Sequence, residues 1–210
     1  MLKKYLKLLI ITSIVILLPI VAGVVFWKQM PDQVPYHWNG AGEVDGWASK
    51  PFAVLGTPFI FLALQWLSVF FTVNDPKRKN HSDKILQLIF WLVPALSIVI
   101  ACIVYAGALG REIRVEMLLP IFMGVLFVAI GNYLPKCKQN YTVGIKISWT
   151  LASEENWNKT HRLSGYIWVA GGLVMVLAGF LGLIWLLMPV ALLMALIPIV
   201  YSFILHRKGV

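Results

Sequence analysis

Six long hydrophobic runs, separated by shorter polar segments, dominate the sequence. They cover approximately residues 6–27, 52–73, 85–107, 115–134, 163–183 and 186–205. A helix needs about 20 apolar residues to cross the hydrocarbon core of a bilayer, and helices satisfy all of their backbone hydrogen bonds there without water. The pattern therefore predicts an all-α fold, a polytopic membrane helical bundle with about six transmembrane helices.

The last two runs form one stretch without a charged residue, from residue 163 to residue 205. A single helix of this length would measure about 63 Å, at about 1.5 Å per residue, which is roughly twice the thickness of the hydrocarbon core. The chain must therefore turn back on itself, and the predicted turn lies between Gly182 and Pro189.

The distribution of positive charge predicts the orientation of the bundle. Of the 18 lysine and arginine residues, 14 fall on one side of the predicted membrane, and only Lys28, Lys50, Arg111 and Arg114 fall on the other. Because cytoplasmic loops are enriched in these residues, both termini are predicted to be cytoplasmic. The composition, 60% hydrophobic and 13% charged, excludes a soluble globule. The net charge of +9 is explained by topology and attraction to anionic lipids, so direct nucleic-acid binding is not expected.

Two polar segments interrupt the hydrophobic pattern. Residues 28–51, the first polar loop, are predicted to be extracellular, and their many Pro and Gly residues leave little room for regular structure. Ser49 before Pro51 is typical of a helix start. Residues 135–162, the second polar loop, are predicted to be cytoplasmic. They should form a turn or short extended piece over 136–149, followed by a helix that starts at Ser153 with acids in its first turn.

The helix after Ser153 is predicted to be short and amphipathic. Trp157 and His161 recur at helical spacing, and Glu155 lies four residues before Lys159, a favourable pair. We expect this helix to lie on the membrane surface and to bend into the fifth hydrophobic run. Trp149 and Trp157 would anchor it at head-group depth.

Three residues of the first polar loop could bind a metal ion. Imidazole and carboxylate groups suit several divalent ions, and His37, Glu43 and Asp45 supply both. Their spacing matches no familiar ligand motif, and no cofactor is predicted. The alternative is a compact loop in which His37 and Asp45 make local hydrogen bonds, but a membrane-embedded metal-dependent enzyme stays open.

The second polar loop and the hydrophobic runs offer two further alternatives. Glu154 or Glu155 with His161 could act as base and orienting group, and lysines beside Cys137 could lower the pKa of its thiol. A small peptide transporter would instead need a polar cavity, for which Gln65 and Asn132 are candidates. Polar residues in such runs commonly make hydrogen bonds between helices.

Both polar loops carry patterns that resemble a known family. The first loop, Pro-x-x-x-Pro-x-His-Trp-Asn-x-x-Gly-x-x-Asp-Gly-Trp-x-Ser-Lys over residues 31–50, resembles the domain of unknown function at the N-terminus of SdpI-type membrane proteins. The second resembles the SdpI/YfhL signature, through the segment Gly131-Asn-Tyr-Leu-Pro-Lys136 and residues further along to Arg162. The resemblance divides the chain into an N-terminal helical hairpin, 1–75, and an SdpI-like four-helix region, 76–210.

The resemblance implies an immunity protein, not an enzyme, in the plasma membrane of a bacterial cell. Such proteins protect cells against a secreted, membrane-active toxin peptide, and the prototype also holds a cognate repressor protein at the membrane. The implied toxin-facing residues outside are Pro35, His37, Trp38, Gly42, Asp45, Gly46 and Lys50. The implied cytoplasmic signature is Asn132, Pro135, Lys136, Asn140, Gly144, Lys146, Trp149, Thr150, Glu154, Trp157 and Arg162. Lys146 stands where the family often has arginine, and lysine lacks the planar fork of a guanidinium.

Overall fold

A computed structural model describes residues 2–210. Within this range, six helices are long and apolar enough to cross a membrane, so the predicted all-α membrane bundle is confirmed. The helices are α1 (Leu2–Val25), α2 (Thr57–Val73), α3 (Asp83–Ala108), α4 (Val115–Tyr133), the short α5 (Ser148–Ala152), α6 (Glu154–Phe180) and α7 (Leu187–Arg207). The two strands are β1 (Gln33–Trp38) and β2 (Val44–Ser49).

The first polar loop is more regular than the sequence predicted. Its two strands pair antiparallel, with Gln33 opposite Ser49 and Trp38 opposite Val44. Ser49 therefore ends β2 and does not cap a helix, and the helical segment from Phe52 to Gly56, which precedes α2, has no side-chain cap. The sequence predicts that the Pro and Gly residues interrupt regular structure. Instead, they lie in a hairpin whose irregular strand register accommodates them.

The helix after Ser153 is also longer than expected. Ser153 is its N-cap, as predicted, and the Ser153 hydroxyl accepts a hydrogen bond from the Asn156 N–H at 3.1 Å. However, α6 continues for 27 residues without a separate surface segment. The predicted turn between the last two long helices is confirmed, since Gly182 has a φ of +69° between α6 and α7.

The chain forms two compact units. The first consists of residues 1–73 and 86–115, and the second of residues 74–85 and 116–210. In the first unit, polar side chains link helices: Gln65 donates to the Phe90 carbonyl at 3.1 Å, and Ser97 donates to the Ile16 carbonyl at 3.1 Å. Hydrogen bonds of this kind hold helices together where the hydrophobic effect is weak.

The second unit brings α4 and α6 into backbone contact. A methyl group built on Gly172 would lie 2.6 Å from the Gly124 carbonyl oxygen, and one on Gly179 would lie 2.8 Å from that of Met117. Gly165 makes the third such approach, at 3.0 Å from the Gly131 oxygen. The two sets are Gly165, Gly172 and Gly179 on α6, and Met117, Gly124 and Gly131 on α4. Both have seven-residue spacing and run in opposite directions, so the helices pack antiparallel through small residues.

Asn156 joins α6 to α7 in the same unit. Its side-chain amide is fully buried and donates to the Ser202 carbonyl at 3.0 Å, while its oxygen accepts from the Ser202 hydroxyl at 2.5 Å. The Thr160 hydroxyl adds a third bond at 3.1 Å. A buried amide with all of these partners fixes the relative position of the two helices.

Candidate functional site

The tip of the first polar loop is organised by Asn39. Its side-chain oxygen accepts the N–H groups of Ala41 at 2.8 Å and Glu43 at 3.0 Å. Gly42 lies between them with a φ of +80°, a conformation that glycine adopts without steric cost. The hairpin is therefore closed by one asparagine and one glycine.

His37 and Asp45 form an exposed pair on this hairpin. The His37 Nδ1 and Asp45 Oδ1 atoms are 2.5 Å apart, and the two side chains are 72% and 45% exposed. Gly46 lies opposite His37, and a methyl group there would come within 2.9 Å of the His37 Cβ. Glu43 turns away to accept a hydrogen bond from Asn39. Among the described residues no group of three or more His, Cys, Asp or Glu side chains converges as a metal site.

The other residues of the first motif support the hairpin. Lys50 is only 9% exposed; its ammonium donates to the Met30 carbonyl at 3.0 Å and pairs with Asp32 at 3.1 Å. The ammonium thus satisfies carbonyl oxygens just beyond the end of α1, where the partial negative charge of the helix C-terminus favours a cation. Pro35 and Trp38 are half-buried and face Gly107 of α3. Their implied toxin-facing role therefore fits poorly with their positions, whereas Trp47, 59% exposed, presents a large apolar side chain.

Asn140 organises the first half of the second polar loop. Its fully buried side chain accepts the N–H groups of Thr142 at 2.9 Å and Val143 at 2.7 Å. Its amide donates to the carbonyls of Lys138 at 2.9 Å and Val143 at 3.0 Å. Because the side chain uses both donors and its acceptor, it replaces the hydrogen bonds that an irregular backbone lacks.

Trp157 and His161 form the packed centre of this loop. Their rings stack with centroids 3.9 Å apart, and the indole N–H donates to the Cys137 carbonyl at 2.7 Å. Trp157 is fully buried, so it does not present its ring to lipid head groups as the predicted anchor would: the loop folds over it and removes it from the surface. Trp149 is half-buried beside His206, with centroids 5.9 Å apart.

The hydrogen bonds of His161 define a neutral ring. Nδ1 lies 2.8 Å from the Trp157 carbonyl, to which it can only donate, and Nε2 accepts the Ile145 N–H at 3.0 Å. Gly144, with a φ of +113°, lies against this ring. A methyl group at Gly144 would come within 2.3 Å of the His161 Nε2. Both ring nitrogens are therefore occupied by the loop backbone.

The catalytic interpretation of the second polar loop finds no support in this geometry. Glu155 pairs with Lys159 at 2.7 Å, and Glu154 is exposed on the first turn of α6, so neither orients His161. Burial raises the pKa of the Cys137 thiol to about 11, although a hydrogen bond from Asn140 opposes the shift. The alternative in which neighbouring lysines lower the pKa of this thiol therefore finds no support, and Cys137 is not an activated nucleophile.

The remaining signature residues divide into buried and exposed groups. Thr150 is buried; its hydroxyl donates to the Ile145 carbonyl at 2.8 Å and accepts the Ile147 N–H at 3.1 Å. Pro135 packs against Gly165. The exposed residues of the signature are Asn132, Pro135, Lys136, Lys146, Glu154 and Arg162. Three of these six are cations, so the outer surface of the loop is basic while its interior is neutral.

Two further residues, Asp75 and His81, contact the second polar loop, and the sequence did not identify either of them. Asp75 is 2% exposed; it accepts the Tyr141 N–H at 2.9 Å and the Thr142 hydroxyl at 2.8 Å. His81 Nε2 lies 3.3 Å from the same carboxylate. Burial alone would raise the pKa of Asp75, but the bonds from Thr142, Lys77 and Tyr141 and the nearby His81 together hold that pKa below its usual value. A carboxylate thus fastens residues 74–82 to the second polar loop.

Gln139 makes the second connection to residues 74–82. Its carbonyl accepts the Asn80 amide at 2.6 Å, and its side chain accepts the Lys77 ammonium. Its side-chain amide also donates to the Thr150 carbonyl at 2.9 Å. The only signal in the sequence is the polar Asn74-Asp-Pro segment before the cationic Lys77-Arg78-Lys79 run, which by itself indicates a side of the membrane and no contact with a distant loop.

The proposed transporter residues do not converge on a cavity. Gln65 is fully buried, and it donates to Phe90 and, at 3.3 Å, to the Thr12 hydroxyl. Asn132 is exposed at the end of α4. Each residue belongs to a different compact unit, and Gln65 acts in helix packing.

Two regions of the chain match known protein families, and each region includes most or all of one polar loop. Residues 14–62 match a domain of unknown function, DUF1648, and residues 136–202 match the SdpI/YfhL protein family. The chain is also similar to "Immunity protein SdpI" of Bacillus subtilis (strain 168), with 25% identity over 194 residues that cover 90% of each chain. No solved structure matches the chain. The chain is thus similar to the SdpI/YfhL protein family over residues 136–202 and to an immunity protein over nearly its whole length, with both matched regions in order.

Proposed function

We propose that this protein confers immunity to a secreted, membrane-active toxin peptide in the plasma membrane of a bacterium. The observation that carries the proposal is the similarity over 90% of both chains to a protein named for immunity. The protein acts by binding, without a catalytic step, and both termini and the second polar loop face the cytoplasm. The excess of lysine and arginine on that side supports this orientation.

The hairpin of the first polar loop meets the toxin outside the cell. The exposed His37 and Asp45 pair and the exposed Trp47 give it polar and aromatic contact groups. Aromatic residues contribute strongly to binding because they bury large areas at little cost in conformational entropy. The buried Lys50 contributes by holding the hairpin in place.

The protection assay uses the organism that carries this protein. Deleting the gene should lower survival in spent medium from the parent strain, and the intact gene should restore it. Trp47→Ala should reduce protection, whereas Trp185→Ala, which removes an equally exposed tryptophan in the turn between α6 and α7, should not. Equal survival of the deletion and parent strains in that medium would contradict the proposal.

The basic surface of the second polar loop docks a cytoplasmic repressor protein. Arg162 and Lys146 are exposed on a loop whose interior is fixed by Asn140 and His161. The test is to pull down the full chain from cells treated with toxin-containing medium and to identify a DNA-binding repressor protein among the partners retained. Arg162→Gln with Lys146→Gln should abolish recruitment, and Lys208→Gln, also exposed, should not. Recruitment that is unchanged in the double variant would refute this role while leaving immunity untouched.

A further inference from the structure

A long apolar cleft lies between α1 and α3 in the first compact unit. Its volume is about 490 Å3, within the range of sites that bind small molecules. Leu18 and Phe26 of α1 and its following turn line one wall, and Ile98 and Ala106 of α3 line the other. Arg111, just beyond the end of α3, and Tyr105 also line it.

The cleft has the depth of one leaflet. From Ile98 to the end of α3 at Ala108 the helix rises about 15 Å, at about 1.5 Å per residue. Half of a hydrocarbon core of about 30 Å is the same length. A single acyl chain of a lipid would therefore fill the cleft from the membrane surface to the midplane.

An arginine lies at the surface end of the cleft. The Tyr105 hydroxyl is buried beside Gly23 of α1, so Tyr105 presents no polar group to the cleft. Arg111 is exposed, and no hydrogen bond or ion pair of its guanidinium is present within residues 2–210.

The arrangement of charge and apolar surface matches that of a phospholipid. Arg111 lies just beyond the end of α3, and the rest of the cleft is lined mainly by apolar side chains. A phospholipid presents an anionic phosphate, then an ester carbonyl, then an acyl chain. We propose that this cleft binds one anionic phospholipid from the leaflet next to the first polar loop, with its phosphate on Arg111 and one acyl chain in the cleft.

Native mass spectrometry of the full chain in detergent tests the site. Dioleoyl phosphatidylglycerol and dioleoyl phosphatidylcholine, offered in equal amounts, differ only in the head group. The protein should retain one phosphatidylglycerol in preference. Arg111→Gln should lower this preference about tenfold, as expected for losing one charge-assisted contact. Lys28→Gln removes a positive charge on the same face but outside the cleft, and should leave the preference unchanged.

One further variant examines the depth of the site. Ala106→Phe should fill the cleft and reduce retention of both lipids without changing the preference. Helix content by circular dichroism checks folding, and Arg111→Gln adds no volume. Retention of neither lipid by the unaltered protein, equal effects of Arg111→Gln and Lys28→Gln, or occupation of the cleft by a peptide instead would overturn the proposal.

Discussion

Gly144 shows how strongly one residue can depend on its surroundings. It combines a φ of +113° with contact to His161 and Trp157. Any side chain there would strain the backbone and displace the histidine that accepts the Ile145 N–H. The loop can therefore close over its buried rings only if this position lacks a Cβ.

Gly144→Ala should destabilise the protein by at least about 2 kcal/mol, because backbone strain adds to overpacking. Gly182→Ala is the matched control, since Gly182 also has a positive φ but has open space around it. That change should cost about 1 kcal/mol. Thermal unfolding in detergent micelles measures both, and equal losses in the two variants would mean that contact with His161 does not matter.

Asp75 predicts a dependence of stability on pH. Because its pKa is lowered in the folded protein from the ordinary 3.8, its ionised form adds stability that is fully present above pH 3.8. This stability is lost as the pH falls through the folded pKa. Asp75→Asn should therefore destabilise the protein at pH 7, and the difference from the unaltered protein should shrink below pH 4. Parallel stability curves from pH 7 to pH 3 would show that the Asp75 charge contributes nothing.

The sequence identified some of the residues that hold the second polar loop together but not others. Asn140 and Gly144 were found by family pattern, and their roles follow from hydrogen bonds and φ. His161 was placed on an amphipathic surface helix, yet it is buried at the centre of the loop. Asp75 was missed, because nothing in a local pattern tells an exposed aspartate from one that a distant loop surrounds.

At the scale of elements, the antiparallel contact of α4 and α6 depends on glycine. The three close approaches are seven residues apart on each helix, which keeps them on one face over about two turns each. The sequence shows glycines at Gly172 and Gly179, but it does not show which helix they face. That assignment needs the register of two helices, which hydropathy does not contain.

Gly172→Leu should destabilise the second unit by about 1–3 kcal/mol, because the new side chain has no room beside the Gly124 carbonyl. Ala170→Leu, two residues earlier on the exposed face of α6, should have little effect. The comparison uses unfolding in detergent with helix content as the readout. If Ala170→Leu is as harmful as Gly172→Leu, the glycine contact is not the cause.

Patterns among near neighbours in the sequence predicted the N-terminus of α6 but did not predict the β1–β2 hairpin. Ser153 was predicted as a helix start because capping is a property of neighbouring residues. The hairpin was not predicted, because its pairing joins residues up to 16 positions apart, such as Gln33 and Ser49. Its turn also uses Asn39 in a way that composition alone does not indicate.

At the scale of the whole molecule, labelling of cysteines in intact cells tests the orientation. In a Cys102→Ser background, Ala41→Cys in the first polar loop should react with a membrane-impermeant maleimide, because Ala41 is exposed and the proposed orientation puts this loop outside the cell. Ser148→Cys in the second polar loop should react only after the cells are permeabilised. Cys137 should stay unlabelled in both, since it is 5% exposed and its pKa of about 11 leaves little thiolate. The reverse pattern would invert the proposed topology.

The sequence by itself determined that this is a membrane protein with six spanning helices, a turn at Gly182 and a helix start at Ser153. These features follow from hydrophobic length, backbone hydrogen bonding and capping, all of which act between near neighbours. Only the tertiary structure decided that Trp157 is buried, that Asp75 holds the second polar loop and that Tyr105 lines a cleft. Those properties arise from contacts between residues far apart in the chain, and their free energies depend on burial that no local pattern records.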